Sequence, residues 1–175
     1  MINAIVAVDK NWAIGGLNKE GKPDLLFKLP NDLKWFKEKT LSSVVVMGMT
    51  TYQSLPKKPL PKRINVVLWD QLPEEVKTEN DTIFFKTFEA LVSFLKIIND
   101  AIEVYICGGG YFYKSCIEAG IVDRVYVTKV YAEAENPTAY FPNLDKNKNY
   151  KIVDAFSSAI DNGLKTKIFI YERII

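Results

Sequence analysis

Short apolar runs separated by polar and glycine-rich segments make up most of the chain, and most of these runs have the length of a β-strand. A run that is apolar at every position, such as VVVMG at 44–48, is typical of a strand buried on both faces of a sheet. The pattern predicts eight strands, at 2–8, 44–48, 64–69, 82–85, 102–107, 122–131, 150–156 and 167–173.

Helical segments lie between these strands. The clearest is 87–98, where apolar residues recur three and four positions apart. In the segment 29–40, Pro30 suits the first helical turn and Asn31 suits the N-cap, so a helix is expected to start there. The pattern predicts four helices, at 29–40, 50–55, 87–98 and 111–118.

The order of these elements indicates the fold class. Strands and helices alternate early, and strands crowd the end of the chain. We therefore predict a single α/β domain over residues 1–175, with a mixed, mostly parallel eight-stranded sheet, helices on both faces and antiparallel C-terminal strands. The segment 9–28 contains three glycines and a proline and is predicted to be a long loop without regular structure, of the kind that forms lids or binding loops.

Composition excludes several functions. The 23 Lys and Arg nearly balance the 21 Asp and Glu, so neither nucleic acid nor a membrane surface is an expected partner. No signal peptide is recognised and no apolar run reaches the roughly 20 residues of a membrane span, so a cytoplasmic protein is expected. The chain has no histidine, which excludes Ser-His-Asp and Cys-His nucleophilic sites, and no metal site is expected.

Asp32 is the first candidate for chemistry. It lies in the first turn of the predicted helix 29–40, on the same face as Trp35 and Phe36. One interpretation is that its charge merely complements the helix dipole. The other is a desolvated carboxylate with a raised pKa that binds a flat, polar ligand beside the aromatic rings. The helix alone leaves both open.

The glycine turn at 108–110 is the second candidate. It connects a predicted strand to a predicted helix, and such a turn lets backbone N–H groups approach a phosphate. Gly108, Gly110 and Tyr113 give G-x-G-x-x-Y, which lacks the third glycine of the dinucleotide fingerprint. A tight turn of purely structural use is the alternative.

Six motifs taken in order resemble the dihydrofolate reductase family across nearly the whole chain. They are AIVAVDKNWAIG, LPNDLKWFK, VVVMGMTTYQSLP, PLPKRINVVL, VYICGGGYFY and VYVTKVYAEAENPTAYFP. The resemblance implies reduction of 7,8-dihydrofolate to 5,6,7,8-tetrahydrofolate, with hydride passing from a nicotinamide cofactor to pterin C6 and water-mediated protonation of N5. It also implies a role in one-carbon metabolism and thymidylate synthesis, and a monomer is expected.

The resemblance assigns roles on the substrate side. Asp32 matches the carboxylate that binds the pterin, Thr128 the threonine that hydrogen-bonds it, and Arg63 the arginine that holds the glutamate tail. Phe27 stands where the family has a tryptophan beside the active site, so the contact of the indole N–H with a water is in doubt. The implied substrate-binding set is Ile5, Asp32, Leu33, Phe36, Leu55, Lys58, Leu60, Arg63 and Thr128.

The resemblance also implies a nicotinamide cofactor site. Backbone groups would hold the carboxamide, the glycine turn would hold the pyrophosphate, and Tyr113 would lie beside the nicotinamide. The implied set is Ala7, Ile14, Gly15, Gly48, Met49, Thr50, Thr51, Trp69, Asp70, Lys86, Cys107, Gly108, Gly109, Gly110, Tyr111, Phe112 and Tyr113.

Three of these positions depart from the family pattern for the 2′-phosphate of NADPH. Met49 and Tyr111 replace basic residues, and Asp70 introduces a carboxylate, which suits a free ribose hydroxyl better than a phosphate. Lys86 acts in the opposite direction, because it matches a lysine near the phosphate in some family members or can neutralise Asp70. The alternative for Asp70 is that it turns outward as an ordinary residue at the end of a strand. NADPH remains the expected cofactor, with an unusually small preference over NADH.

Two other functions remain open. A reductase of the same fold that acts on a riboflavin precursor would share the glycine turn, but it would not need Asp32 on an apolar helix face. A non-catalytic binding module would tolerate loss of Asp32 or Thr128, and both are present. An absorbance change at the nicotinamide band with dihydrofolate supplied would discriminate among them.

Overall fold

The computed structural model of the chain describes residues 1–174, which form thirteen strands and four α-helices. The strands are β1 (Ile2–Val8), β2 (Ala13–Leu17), β3 (Pro23–Leu25), β4 (Val44–Gly48), β5 (Ile64–Leu68), β6 (Val76–Glu79), β7 (Thr82–Phe85), β8 (Val104–Ile106), β9 (Arg124–Val130), β10 (Pro137–Tyr140), β11 (Tyr150–Ala155), β12 (Ala159–Asp161) and β13 (Leu164–Arg173). The helices are α1 (Pro30–Thr40), α2 (Met49–Ser54), α3 (Phe88–Ile98) and α4 (Gly110–Glu118).

Most strands join one large sheet in the order β11-β13-β9-β1-β8-β4-β5-β7-β6, with β12 paired to β13. The strands from β9 to β7 in this order run parallel, and β6, β11, β12 and β13 pair antiparallel at the two edges. Parallel neighbours need crossover connections, and helices supply most of them. The β8 strand lies between β1 and β4 although it follows both in the chain.

Alternating residues of the central strands build hydrophobic cores on the two faces of this sheet. Val44 and Val46 of β4 contribute to the larger core, which also contains buried residues of α3 and α4. Val45 and Met47 point to the opposite face, where half-buried residues of α2 pack against them. Both faces are therefore covered by helices, as parallel sheets require. In the described part of the chain, no helix is long and apolar enough to cross a bilayer.

The predicted fold class is confirmed, and each of the eight predicted strands is present. The large sheet contains ten strands rather than eight. The two additional strands, β6 and β12, are short partners in antiparallel hairpins at the edges of the sheet. β6 is exposed along its whole length and β12 has only three residues, so neither gives a clear hydrophobic signal.

The prediction of an unstructured segment over 9–28 was wrong. This segment contains β2 and β3, which pair with each other and with β10 in a separate three-stranded sheet. The glycines allow close approach of strands here: a side chain at Gly16 would lie 3.2 Å from the carbonyl oxygen of Asn136. Glycine weakens the sequence signal for a strand but permits this packing.

The predicted N-cap of the first long helix was also wrong. Leu29 occupies the N-cap position with no side-chain cap, and Pro30 is the first helical residue. Asn31 therefore lies inside the first turn. The carboxylate of Asp161 accepts hydrogen bonds from the backbone N–H groups of Asn31 and Asp32 and takes the place of a local cap.

Candidate active site

Several candidate residues gather at the carboxyl ends of the central parallel strands, whereas Arg63 directly precedes β5, at the opposite end of the sheet. The backbone N–H of Gly48, at the end of β4, donates to the carbonyl oxygen of Gly108 just after β8 at 3.0 Å. Gly48 is also the register partner of Leu68 at the end of β5. Open α/β sheets bind ligands outside the carboxyl ends of their strands, so this edge is where a small-molecule site is expected.

Asp32 lies on α1 beside this edge, and its side chain is held by β9. The hydroxyl of Thr128 donates to Oδ1 of Asp32 at 2.6 Å. Thr128 is only 2% exposed and is the register partner of Ala7 on the central strand β1. The hydroxyl is thus fixed by the sheet, and it fixes the carboxylate in turn.

The surroundings of Asp32 raise the pKa of its carboxyl group. Burial raises the pKa of Asp32, the hydrogen bond from Thr128 opposes that rise, and the negative charge of Asp161 adds to it. Among the described residues, no Lys or Arg forms an ion pair with Asp32. A half-buried carboxylate with a neutral partner, a like charge nearby and no counter-ion is available to hydrogen-bond a ligand and to influence its protonation.

Apolar side chains line the floor of the site. Ile5 of β1 is 5% exposed and belongs to a cluster with Phe36 of α1 and Cys107. Its carbonyl oxygen accepts a 2.7 Å hydrogen bond from the buried hydroxyl of Tyr113. Leu33 is 53% exposed, so this part of α1 is open to solvent rather than sealed in the core. This explains why the helix has only Thr40 buried.

Arg63 is the second unpaired charge of the site. It is 8% exposed, and its guanidinium donates from Nε to the carbonyl oxygen of Pro61 at 2.9 Å and from Nη1 to Oγ1 of Thr40 at 3.1 Å. Burial lowers the pKa of Arg63, and Cys107 opposes that shift. Both hydrogen-bond partners are neutral, and no ion pair of Arg63 occurs within residues 1–174. A buried guanidinium that has no carboxylate partner favours binding of an anion.

Other residues of the predicted substrate set lie around these groups. Leu55 and Leu60 are half-buried and pack against the core cluster of β4 and β5. The ammonium of Lys58 donates to the carbonyl oxygen of Gln53 at 3.0 Å on the surface. Phe27 is half-buried just before α1.

The glycine turn at 108–110 lies where β8 meets α4. A side chain at Gly109 would lie 3.1 Å from Oγ1 of Thr51, and one at Gly108 would lie 3.3 Å from it. Gly109 is the N-cap of the nine-residue α4 and provides no side-chain cap. The arrangement leaves backbone N–H groups of α4 for another acceptor, and its crowding with Thr51 explains why glycine is needed.

The three residues after the turn have different surroundings. Tyr111 is 93% exposed at the start of α4. The side chain of Phe112 is buried and meets the ring of Phe88 at 6.2 Å between centroids, so only its backbone can reach a ligand at the edge. Burial raises the pKa of Tyr113 well above its ordinary value, which keeps its hydroxyl a hydrogen-bond donor.

The other residues of the predicted cofactor set lie after β4, β5 and β7 and on β2. Trp69 packs against Phe84 with ring centroids 6.1 Å apart, which leaves Asp70 exposed at the end of β5. Lys86 is half-buried after β7 and makes no ion pair with Asp70 in the described structure. Met49 and Thr50 begin α2, and Ile14 and Gly15 lie on β2.

Asp161 is the contact that sequence reasoning missed. Its carboxylate is 3% exposed and lies against the start of α1, although it comes 129 residues after Asp32. The sequence Asp161-Asn162-Gly163 indicates a hairpin turn. No local signal shows that this turn folds against another element.

Comparisons with known proteins show what the chain is similar to. The family model described as "Dihydrofolate reductase" matches residues 1–173. The viral dihydrofolate reductase of Saimiriine herpesvirus 2 (strain 488) is 32% identical over 195 residues, covering 100% of this chain and 86% of the relative. The dihydrofolate reductase of Bacillus subtilis (strain 168) is 31% identical over 175 residues, covering 99% and 95%, and that of Gallus gallus is 30% identical over 191 residues, covering 99% and 97%.

These matches extend over essentially the whole chain and over nearly the whole of each relative. The class of protein is therefore an α/β oxidoreductase. The chain belongs to the dihydrofolate reductase family.

Proposed function

We propose that the protein reduces 7,8-dihydrofolate to 5,6,7,8-tetrahydrofolate and thereby supplies one-carbon metabolism and thymidylate synthesis. The observation that carries this proposal is the carboxylate of Asp32, which lies half-buried beside an apolar floor with the Thr128 hydroxyl as partner and no cation. A pterin presents an amino group and a ring nitrogen to such a carboxylate. Membership of the family gives the same assignment.

In this proposal Asp32 binds the pterin and assists the protonation of N5 through water. Its raised pKa places it nearer the working pH of a general acid–base group than an ordinary aspartate. Thr128 keeps the carboxylate in one orientation. Ile5, Leu33 and Phe36 pack against the pterin and the aromatic ring that follows it.

Arg63 would bind the negatively charged tail of the substrate. A planar guanidinium can donate two parallel hydrogen bonds to one carboxylate. The buried position and neutral partners of Arg63 leave its positive charge uncompensated until such an anion arrives.

A nicotinamide dinucleotide fits the other half of the edge. The residues that would hold it are Gly48, Thr51 and the glycine turn at 108–110, where Oγ1 of Thr51 lies too close to the turn for a side chain at Gly109. When bound, this group supplies the hydride that reaches pterin C6. Tyr113 would lie beside the nicotinamide ring, held by its hydrogen bond to Ile5.

We propose NADPH as the main cofactor, with an unusually small preference over NADH. Asp70 is exposed and unpaired with Lys86 within the described residues, so its negative charge opposes a 2′-phosphate. At about 4 Å and an effective dielectric near 20, one like-charge pair costs roughly 4 kcal/mol before screening by salt. The exposed ring of Tyr111 offers no compensating cation.

Steady-state kcat/KM values for the two cofactors test this preference. We expect a ratio below about one hundred, which corresponds to about 2.7 kcal/mol. Replacing Asp70 by Ser should raise the ratio about tenfold. A ratio well above one hundred in the wild type, unchanged by Asp70→Ser, would show that Lys86 or another group already neutralises the carboxylate.

We further propose that residues 1–175 are one domain that acts as a cytoplasmic monomer. Cys107 and Cys116 are both free thiols, which suits a reducing compartment. Sedimentation equilibrium at enzyme concentrations used for kinetics tests the oligomeric state.

Replacement of Asp32 by Asn tests the proposed reaction. The amide keeps the shape and can still accept from Thr128, but it removes the charge that binds the pterin. We expect the rate of dihydrofolate-dependent NADPH oxidation at pH 7 to fall more than tenfold, with partial recovery at low pH, where solvent protonates the substrate. The exposed Asp154, replaced by Asn, is the matched control and should keep wild-type activity. Activity of Asp32→Asn within tenfold of wild type would refute the assignment.

A further inference from the structure

The hairpin formed by β12 and β13 reaches back to the start of α1. Its turn consists of Asn162 and Gly163, both with positive φ, at 50° and 78°. Asn-Gly is the sequence that such two-residue turns prefer. The turn places Asp161, the last residue of β12, against the helix that carries Asp32.

Two side chains of this hairpin make three hydrogen bonds to the backbone around α1. Asp161 accepts from the backbone N–H of Asn31 at 3.2 Å through Oδ1 and from that of Asp32 at 3.0 Å through Oδ2. The amide of Asn162 donates to the carbonyl oxygen of Lys28 at 3.0 Å. The helix has no cap of its own because Leu29 stands at the N-cap.

Asp32 is therefore held at two points. The Asp161 carboxylate holds its backbone N–H, and Thr128 holds its side chain. The two holding residues come from different strands, β12 and β9, so the position of the carboxylate depends on the relative placement of α1, the sheet and the hairpin. A cap from the helix itself would fix the helix but not its position relative to the hairpin.

We propose that Asp161 is a positioning residue for Asp32. By capping α1 from the hairpin, it places the Asp32 carboxylate for the reaction, and this inference rests on the proposed function. The charge of Asp161 has a second effect, because it acts on Asp32 as a like charge. Thr128, the partner of Asp32 on β9, is neutral, so Asp161 is the charged group that faces Asp32. Removing that charge should lower the pKa of Asp32.

Two substitutions separate capping from charge. Asp161→Asn removes the charge and keeps one of the two oxygens that accept from α1, so part of the capping remains, since Asn is also a favoured cap. Asp161→Ala removes both. Asp154→Asn makes the same charge change at an exposed position of β11 and is the control. Asn162→Ala removes the bond to Lys28 and leaves Asp161 unchanged, although Ala is less suited than Asn to the positive φ of the turn.

The first readout is the titration of the Asp32 carboxyl carbon by ¹³C NMR in the free protein, with the signal assigned from Asp32→Asn. We expect the midpoint to move to lower pH in Asp161→Asn and Asp161→Ala, and to stay at the wild-type value in Asp154→Asn and Asn162→Ala. An unchanged midpoint in Asp161→Asn would refute the electrostatic part of the proposal. No dihydrofolate is present, so this result does not depend on whether the proposed function is correct.

The second readout is kcat/KM for dihydrofolate, corrected for the folded fraction. We expect a loss of about tenfold in Asp161→Ala, part of it recovered in Asp161→Asn, which keeps one accepting oxygen, with KM for the cofactor unchanged within twofold. If Asp161 merely supports the fold, Asp161→Ala will lower the melting temperature while the folded molecules keep wild-type kcat/KM. Should Asp161→Ala fail to fold, a drop in kcat/KM of Asn162→Ala by threefold or more would support positioning by the hairpin, and no drop would contradict it.

Discussion

Two carboxylates on opposite faces of β9 show how neighbours decide the state of an acid. Thr128 and Lys129 are consecutive on this strand, so their side chains point to opposite faces. Thr128 donates to Asp32 at 2.6 Å on one face, and on the other Lys129 donates to Asp145 at 2.8 Å. Each carboxylate also has a second neighbour. For Asp32 it is the negatively charged Asp161, and for Asp145 it is the hydroxyl of Tyr171, which donates a hydrogen bond at 2.6 Å.

The pKa values of these two carboxylates move in opposite directions. Burial raises the pKa of Asp145, but the hydrogen bonds from Lys129 and Tyr171 and the charge of Lys129 outweigh burial, so the pKa lies below its ordinary value. At Asp32, burial outweighs the single hydrogen bond from Thr128, and the pKa is raised. The presence or absence of one ammonium group thus separates a structural ion pair from a carboxylate that is available to a ligand.

The arginines give the same contrast. Arg124 is paired with Glu172 across β9 and β13, whereas the more deeply buried Arg63 has only neutral partners. Asp145 and Arg124 are thus paired inside the chain, whereas Asp32 and Arg63 have no ion pair among the described residues. Substitutions at the four positions should have different kinds of effect.

The largest expected effect is that of Arg63→Ala on ligand binding. Loss of a bidentate charged contact should weaken dihydrofolate binding by about 2–3 kcal/mol, roughly 30- to 150-fold in Kd. A pterin without the glutamate tail should bind Arg63→Ala and wild type equally, as measured by fluorescence titration. Arg124→Ala is the control and should lower stability while leaving the Kd of dihydrofolate unchanged within twofold. Equal losses for the two ligands would mean that Arg63 acts through the fold.

Thr128→Val should have the second largest effect, a loss of kcat/KM for dihydrofolate. Valine keeps the volume of this buried side chain but leaves Asp32 without its donor, at a cost of about 2 kcal/mol, or about 30-fold in kcat/KM for dihydrofolate. The hydrogen bond lowers the pKa of Asp32, so its loss should move the titration midpoint upward. Tyr171→Phe removes the corresponding hydroxyl from Asp145 and should change stability but not kcat/KM. A downward shift in Thr128→Val would contradict the electrostatic account of the site.

The smallest effect is expected for Lys129→Met, and it should be on stability alone. The ammonium lies over the rings of Trp12 and Phe169 as well as beside Asp145. Because Asp145 is partly exposed, loss of the pair and of these ring contacts should lower the free energy of unfolding by about 1–2 kcal/mol at pH 7. The value of kcat/KM should stay within twofold of wild type.

The difference in the free energy of unfolding between Lys129→Met and wild type should depend on pH, because the pKa of Asp145 changes on folding. The pKa of Asp145 is lowered in the folded protein, so its contribution is present above the ordinary aspartate pKa of about 3.9 and is lost as the pH falls through the folded value. Urea unfolding of Lys129→Met and wild type should therefore give a smaller difference at about pH 3 than at pH 7. Lys167→Met, which also lies over Phe169, is the control and should show a pH-independent difference. A difference of equal size at both pH values in Lys129→Met would refute the ion-pair interpretation.

The sequence predicted those parts of the molecule whose signal is local. β4 is apolar at four buried positions in succession, and Thr87 stands directly before a helical stripe, where it caps α3 by accepting from the N–H of Ala90. The motif around Asp32 predicted a helix with the carboxylate in its first turn, and this was confirmed. In each case the residues that determine the structure lie within one element.

Contacts between distant segments could not be predicted in this way. The cap of α1 comes from Asp161, more than 120 residues away, while the nearby Asn31 had the better local pattern. The pairing of β2 with β10 likewise joins glycine-rich and polar segments that have no hydrophobic periodicity of their own. The unpaired state of Arg63 is also invisible in the sequence, because it depends on which carboxylates the fold leaves out of reach.

The position of β8 between β1 and β4 has a consequence for folding during synthesis on the ribosome. A nascent chain that ends before residue 104 already contains β1 and β4 but lacks the strand that pairs with both, so each carries an open hydrogen-bonding edge. Asp32 leaves the exit tunnel early, whereas Thr128 and Asp161 follow 96 and 129 residues later. The surroundings of Asp32 are therefore completed only after residue 161 has been translated. Until β8 has been translated, the exposed edges of β1 and β4 are the part of the chain most in need of protection by a chaperone.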